Sequence, residues 1–394
     1  MLRMYESSSS RPFTGDGSAN AGPLAGIRVV DGTTWLGAYA GRLLADLGAD
    51  VVRLEPSDGS AERWQGPRLP GGTSAWWAFV EAGKRGTVLD AQEPGYADRL
   101  ARLLDDAQVL LTSEGPAALR DGGLDPEHLR ARHPGLVHVS VSPYGLDGPY
   151  ADRPATDLTL LAAGGLLSLA GDPDREPVRP FGTQTALIAS LHATVGALIA
   201  VLVREESGRG QTVDVSAQEA VAHSLENAVQ YADLEGVVRH RVGSAPTEAG
   251  TGLFTCRDGW VYMVCGLGGY PLGWDGLISW LDAEGVAGAD RLRAPQWQEA
   301  VWRKSVEAVA EFRVIFEGFA ADRGKQELYE AGQRFGVSIA PVCTPDDLLA
   351  SPQLTERGFF REIDVDGVSV VFPGAPYRFA GAEVGPQGGP PPAP

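Results

Sequence analysis

The chain has 394 residues, of which 43% are hydrophobic, so it can bury a sizeable core and is comfortable as two domains. Its formal net charge is -18 and it has no long basic run, which excludes a nucleic-acid binder needing a cationic face. Three cysteines, Cys256, Cys265 and Cys343, with no Cys-x-x-Cys pair, exclude a disulfide framework and point to a reducing cytoplasm.

Residues 1–22 are rich in Ser and Gly and lack the apolar core of a signal peptide; disorder is expected. From Leu24 onward strand and helix patterns alternate. "GIRVVDG" (26–32) is a short β-branched run, and "YAGRLLADLG" (39–48) has helical spacing closed by Gly48. "DVVRLEP" (50–56), "GTVLDA" (86–91), "VLLTS" (109–113) and "GLVHVSVSPYG" (135–145) read as further strands, with the amphipathic helix "YADRLARLLDDA" (96–107) among them. This rhythm predicts a parallel sheet covered by helices, with ligands at the carboxyl ends of the strands.

"TALIASLHATVGALIAVLVREESGRG" contains an apolar helix, 186–203, that ends in charge and a Gly-Arg-Gly turn. Ser190, His192 and Thr194 interrupt it, so it reads as a buried helix and not a membrane span. "TVDVSAQEAVAHSLENAVQYA" opens as a strand and continues as a long helix. "GTGLFTCRDGWVYMVC" (250–265) is a hairpin around Asp258-Gly259. Trp- and Leu-rich helices run to about residue 332. "VSIAPVCTPDDLLASPQL" then returns to a strand and a helix opened by Thr344 or Pro345. The closing "GPQGGPPPAP" is a Pro/Gly tail without means of packing.

Several chemistries are absent. No Gly-x-Gly-x-x-Gly follows the first strand and no Walker loop occurs. The six histidines, at 128, 133, 138, 192, 223 and 240, form no metal-ligand spacing with cysteines or carboxylates, so no metal is expected. Cys256 and Cys265 sit in hairpin strands and read as core. Thr183 and Thr185 lack an identifiable base.

Whole phrases of the chain are similar to the family III CoA-transferases, also called the CaiB/BaiF group, which includes formyl-CoA and carnitine CoA-transferases. They are "PLAGIRVVDGTTWLGAYAGRLLADLGADVVRLEP", "GKRGTVLD", "HPGLVHVSVSPYGLDGPYADRPATDL", "GDPDREPVR", "ESGRGQTVDVS", "GVSIAPVCTPDDLLASPQLTERGFF" and "PGAPYRFAG". They occur in order over most of residues 23–381. The resemblance implies a large Rossmann-like CoA-binding α/β domain, residues 23–225 together with 333–384, and a smaller α+β domain, 226–332, in interlocked dimers. It implies no tightly bound cofactor, with coenzyme A or acyl-CoA as substrate and a carboxylic acid as its partner. The implied chemistry is covalent: an aspartate attacks an acyl-CoA thioester and expels CoA thiolate, leaving a mixed anhydride. The thiolate then attacks the enzyme carbonyl, giving an aspartyl-CoA thioester and free acid, and the incoming acid reverses the sequence.

In an ungapped alignment Ala186 occupies the nucleophile's position. No Asp or Glu lies between Glu176 and Glu205, so no slip of register supplies one. The histidine that racemases of the superfamily place before position 157 is here Thr156, which disfavours a racemase. Asp157 stands where the family often has a second acidic residue. It either takes a role in the site or caps the helix "LTLLAAGGLL". By family correspondence the CoA phosphates fall to Arg53, Lys84, Arg85 and Arg120, with Trp35 and Tyr144 lining the thioester channel. The expected function is the Asp-lacking, non-catalytic subunit of a two-chain CoA-transferase, paired with an Asp-bearing sister. The alternative is a homodimeric acyl-CoA-binding protein or enzyme with altered chemistry, Asp157 substituting as the carboxylate.

Overall fold

The computed structural model describes residues 22–244, 246, 248–266 and 272–394; all but residue 22 of the N-terminal stretch expected to be disordered lies outside them. The described elements begin β1 (Arg28–Asp31), α1 (Ala38–Asp46), β2 (Asp50–Glu55), α2 (Ala75–Glu81), β3 (Arg85–Val88), α3 (Tyr96–Asp105), β4 (Val109–Thr112), α4 (Pro116–Asp121), α5 (Pro126–Arg132) and β5 (Val137–Ser142). They continue with α6 (Asp157–Ala163), α7 (Gln184–Ser207), β6 (Thr212–Ser216), α8 (Ala217–His223) and α9 (Ala228–Glu235). Next come β7 (Thr251–Cys256), β8 (Gly259–Val264), α10 (Trp274–Ala283), α11 (Ala300–Arg303), α12 (Val306–Ala320) and α13 (Lys325–Arg334). The chain closes with β9 (Ser338–Pro341), α14 (Pro345–Leu349), α15 (Pro352–Glu356), β10 (Phe360–Val365) and β11 (Val368–Pro373).

Two compact units emerge. The first holds residues 22–166, 180–236 and 352–394. In it β10 and β11 form a separate antiparallel hairpin, and the main sheet has six parallel strands in the order β3-β2-β1-β4-β5-β6. This is the doubly wound order, with its switch point between β1 and β4. Successive residues serve opposite faces. Val29, Val109 and Leu111 pack with α1 and α7, while Val30 and Leu110 pack with α3 and α5. Two covered faces explain why β4 and β5 are buried at every residue, whereas the edge strand β3 is not.

The second unit holds residues 167–179 and 237–351. Its antiparallel sheet β7-β8-β9 packs on helices through Trp274, Trp280, Phe254, Phe312 and Phe316. The return to the large domain therefore comes near 352, not at the expected 333, because β9 pairs with β8 before the chain leaves this unit. Residues 167–179 join it by backbone, with Gly243 N–H donating to Gly171 O at 3.1 Å.

Three local expectations change. The helix after β6 breaks into α8 and α9 at Ser224–Asn227, where Ser224 Oγ bonds back to Val221 O and Glu226 takes a left-handed φ of 57°. Helix α7 buries one face only; Leu191, Val195, Ile199 and Leu202 stay exposed. It is the one helix among the described residues long and apolar enough to cross a membrane, but its other face, with Ala189, Ala193 and Ala197, belongs to the core under the sheet. The Pro/Gly tail also packs. Gly83 N–H donates to Gly388 O (3.0 Å), and Arg63 donates to Pro391 O (3.2 Å) and Pro392 O (2.7 Å). An extended Pro-rich segment lacks donors yet offers carbonyls, and those carbonyls are what the large unit uses.

Candidate functional site at the sheet switch point and the head of helix α7

Strand β1 ends at Asp31, and the loop after it sits at the switch point. Three successive amides of this loop are occupied by side chains. Thr33 N–H donates to Asp31 Oδ1 (3.0 Å), Thr34 N–H to Ser113 Oγ (2.7 Å) and Trp35 N–H to Glu62 Oε1 (2.9 Å). A phosphate-binding turn keeps such amides free for its ligand. This loop spends them on the protein itself.

Below the loop lies a buried ionic cluster. Lys84 Nζ contacts Asp31 Oδ2 and Glu81 Oε2, each at 2.7 Å, and donates to Ala38 O at 2.7 Å. Arg53 lies 3.8 Å from Asp31 and 3.6 Å from Glu81, and donates to Ser60 Oγ (3.2 Å) and to Thr33 O. Two cations and two carboxylates neutralise one another out of water. Burial alone would raise the Asp31 carboxyl, yet Lys84 and Arg53 hold it below the ordinary range. Burial wins at Glu81, which is raised despite the same cations. A Cβ at residue 41 would collide with Asp31 Oδ2 and Lys84 Nζ, so Gly41 lets α1 approach the cluster.

The expected CoA ligands fall in different places. Arg53 and Lys84, at 2% and 4% exposure, are paired with Asp31 and Glu81 and hold the β1–α1 loop. Arg85 does not line the crevice: its guanidinium forms a fork with Asp50 (2.8 and 2.7 Å) at the edge where β1 and β2 begin. Arg120 is exposed in the last turn of α4. Trp35 and Tyr144 are half-buried against the core. Around the crevice Glu55, Glu62 and Glu114 add negative charge, Glu55 pairing with Arg63 at 2.7 Å. Burial raises the Glu114 carboxyl.

The head of α7 is equally committed. Thr185 N–H donates to Asp157 Oδ1 at 2.9 Å, and Thr185 Oγ1 donates to Asp157 O at 3.2 Å. Asp157 therefore serves the N-terminus of α7, where a carboxylate meets free amides and the positive end of the helix dipole. It is not the cap of its own helix; Thr156 fills that place, in a reciprocal box with Thr159. Ala186 is fully buried in the first turn of α7. One turn on, Ser190 Oγ donates to Leu36 O (3.3 Å), so this face of the helix addresses the β1–α1 loop. Thr183 Oγ1 is buried without a hydrogen-bond partner among the described residues. Asp157 is the carboxylate bonded to this helix head, and its Oδ1 is engaged by the Thr185 amide.

The profile of CoA-transferase family III matches residues 24–393. The chain belongs to CoA-transferase family III. Among family relatives, a subunit of succinyl-CoA:(R)-benzylsuccinate CoA-transferase from Thauera aromatica is 39% identical over 360 residues, 90% of this chain and 87% of that protein. The beta subunit of succinyl-CoA–L-malate CoA-transferase from Chloroflexus aurantiacus is 35% identical over 256 residues, 64% of this chain and 63% of that one. A CaiB/BaiF family protein of solved structure from Brucella suis superposes with a TM-score of 0.82 at 26% identity, covering 94% of this chain and 96% of its own. Sequence reasoning missed Asp31, Glu62, Glu81 and Ser113, the groups that close the family III switch point in this chain. Asp31 carried a signal, a lone acid ending a buried apolar strand; Glu62, Glu81 and Ser113 carried none.

Proposed function

We propose that this chain is the Asp-lacking subunit of a two-chain CoA-transferase that moves CoA between an acyl-CoA and a carboxylic acid, its sister supplying the nucleophile. The observation that carries this reading is Ala186, fully buried at the head of α7 where the resemblance puts the nucleophile, while the nearby Asp157 Oδ1 accepts from the Thr185 amide. Two features support it. The amides and cations of the switch point are spent on internal contacts, and the outer face of α7 presents Leu191, Val195, Ile199 and Leu202 to a neighbour. The two relatives described above are named as subunits and act on succinyl-CoA. In this reading the sister's aspartate cycles through the anhydride and the aspartyl-CoA thioester, and its cations hold the CoA phosphates. The present chain completes an interlocked, cytoplasmic assembly.

The test is reconstitution. The isolated chain is expected to show no transfer between acyl-CoA and free acid. Mixed or co-expressed with an Asp-bearing family III sister, it is expected to support transfer, with hydroxylamine trapping placing the adduct on the sister alone. Sustained transfer by the isolated chain overturns the proposal, and loss of that activity in Asp157→Asn would then identify Asp157 as the nucleophile.

A further inference from the structure

A second concave site lies in the large unit. At the open end of the β10–β11 hairpin, where Phe360 faces Pro373, the flanking segments enclose a cleft of about 450 Å3. That is within the size range of small-molecule sites. Arg357, Arg361 and Arg378 line it against one acidic side chain, Glu383. None of the three guanidiniums has an ion-pair partner among the described residues, and Arg361 makes one long hydrogen bond, 3.4 Å to Val384 O. With 51 acidic and 33 basic residues in the chain, composition alone would not leave three arginines unneutralised in one concavity. Tyr377 and Phe379 also line the cleft, their rings edge to face with centroids 5.9 Å apart and both partly open to solvent.

The cleft is remote from the head of α7. It adjoins a smaller cavity lined by Arg42 and Asp46 of α1, and Gly385 N–H donates to Asp46 O at 2.8 Å. The chain passes from the end of α1 directly into the start of β2, where Asp50 N–H meets Ile27 O. This is the edge at which the strands begin; the nucleophile's position belongs to the edge at which they end.

We propose that this cleft binds a ring-bearing organic phosphate of nucleotide size. The guanidiniums take phosphate oxygens in paired hydrogen bonds, and the Tyr377–Phe379 wall takes the flat ring. Three cations line the cleft against Glu383, and Asp46 of the adjoining cavity, which also feels Arg361, is already paired with Arg42 at 3.4 Å; the net positive charge matches a polyphosphate better than a single carboxylate. The site does not depend on the transfer reading.

Calorimetry on the full chain with ATP, adenosine and inorganic pyrophosphate tests it. ATP is expected to bind at least about tenfold more tightly than either fragment. The double variant Arg357→Gln/Arg378→Gln is expected to weaken ATP about tenfold or more and to abolish pyrophosphate binding, with circular dichroism unchanged. Phe379→Leu is expected to weaken ATP several-fold and leave pyrophosphate unaffected. If the double variant does not fold, Arg378→Gln alone serves, with the same direction expected. Absence of ATP binding in the wild type, or equal affinity in wild type and the folded arginine variant, overturns the proposal.

Discussion

Two groups of basic residues in the large unit behave in opposite ways. Arg53 and Lys84 stand in phrases that resemble a CoA-binding family and looked like phosphate ligands, yet they are buried and paired with Asp31 and Glu81. Arg357, Arg361 and Arg378 line an open cleft whose one acidic lining residue is Glu383. The difference lies in what surrounds each cation, not in residue type. A cation walled in by carboxylates is part of the framework; a cation left unneutralised in a concavity is available to a ligand.

The largest test of this contrast is Lys84→Met. It leaves Asp31 and Glu81 buried with only Arg53 between them, and urea unfolding is expected to show a loss of about 3–5 kcal/mol. A loss below about 1 kcal/mol would mean that Lys84 is not part of the framework.

Two buried titrating groups come next. Burial lowers His138 from 6.5 to about 4, with Nε2 held by Thr112 Oγ1 at 2.9 Å. Its neutral form is favoured in the folded state, so its contribution is fully present above pH 6.5 and is lost as pH falls toward 4. Burial raises Asp46 from 3.8 to about 6, with Arg42 opposing. Its contribution is fully present below pH 3.8 and is lost as pH rises through 6. Each amounts to about 3 kcal/mol at most, and they oppose one another between pH 4 and 6. Relative to wild type, His138→Gln is expected to flatten the acid-side loss of stability, and Asp46→Asn to steepen it. Melting temperatures across that range read both, and parallel curves for all three proteins would refute the assignment.

Asp157→Ala removes the carboxylate serving α7 and is expected to cost about 1–2 kcal/mol in chemical denaturation. A neutral result would free Asp157 from its capping role. The smallest effect belongs to Arg85→Ala. Its fork with Asp50 is exposed, so the change is expected to stay below about 1 kcal/mol and to shrink further in high salt. A larger loss would put Arg85 among the buried framework cations.

The local rules were legible where one residue type decides. Thr344 caps α14 with Pro345 in its first turn, as the Thr-Pro pair predicts. The hairpin β7–β8 turns at Arg257–Asp258, one residue earlier than expected, with Gly259 at φ 144° opening the second strand. The parallel sheet followed from alternating apolar strands and helices. The fate of the charged residues did not follow. Arg53 and Glu81 are 28 positions apart, and Asp31 and Lys84 are 53 apart. Only the closing of β1, β2 and α2 on one another brings them to contact.

By itself the sequence determined the α/β rhythm and the family, because strand and helix periodicity and repeated phrases are local properties of a chain. The tertiary structure decided which cations are spent and which are free, that Asp157 serves the neighbouring helix, that β9 stays with the small unit and that the Pro-rich tail packs. Each of these depends on pairing across long sequence separation, where burial and charge compensation set the outcome.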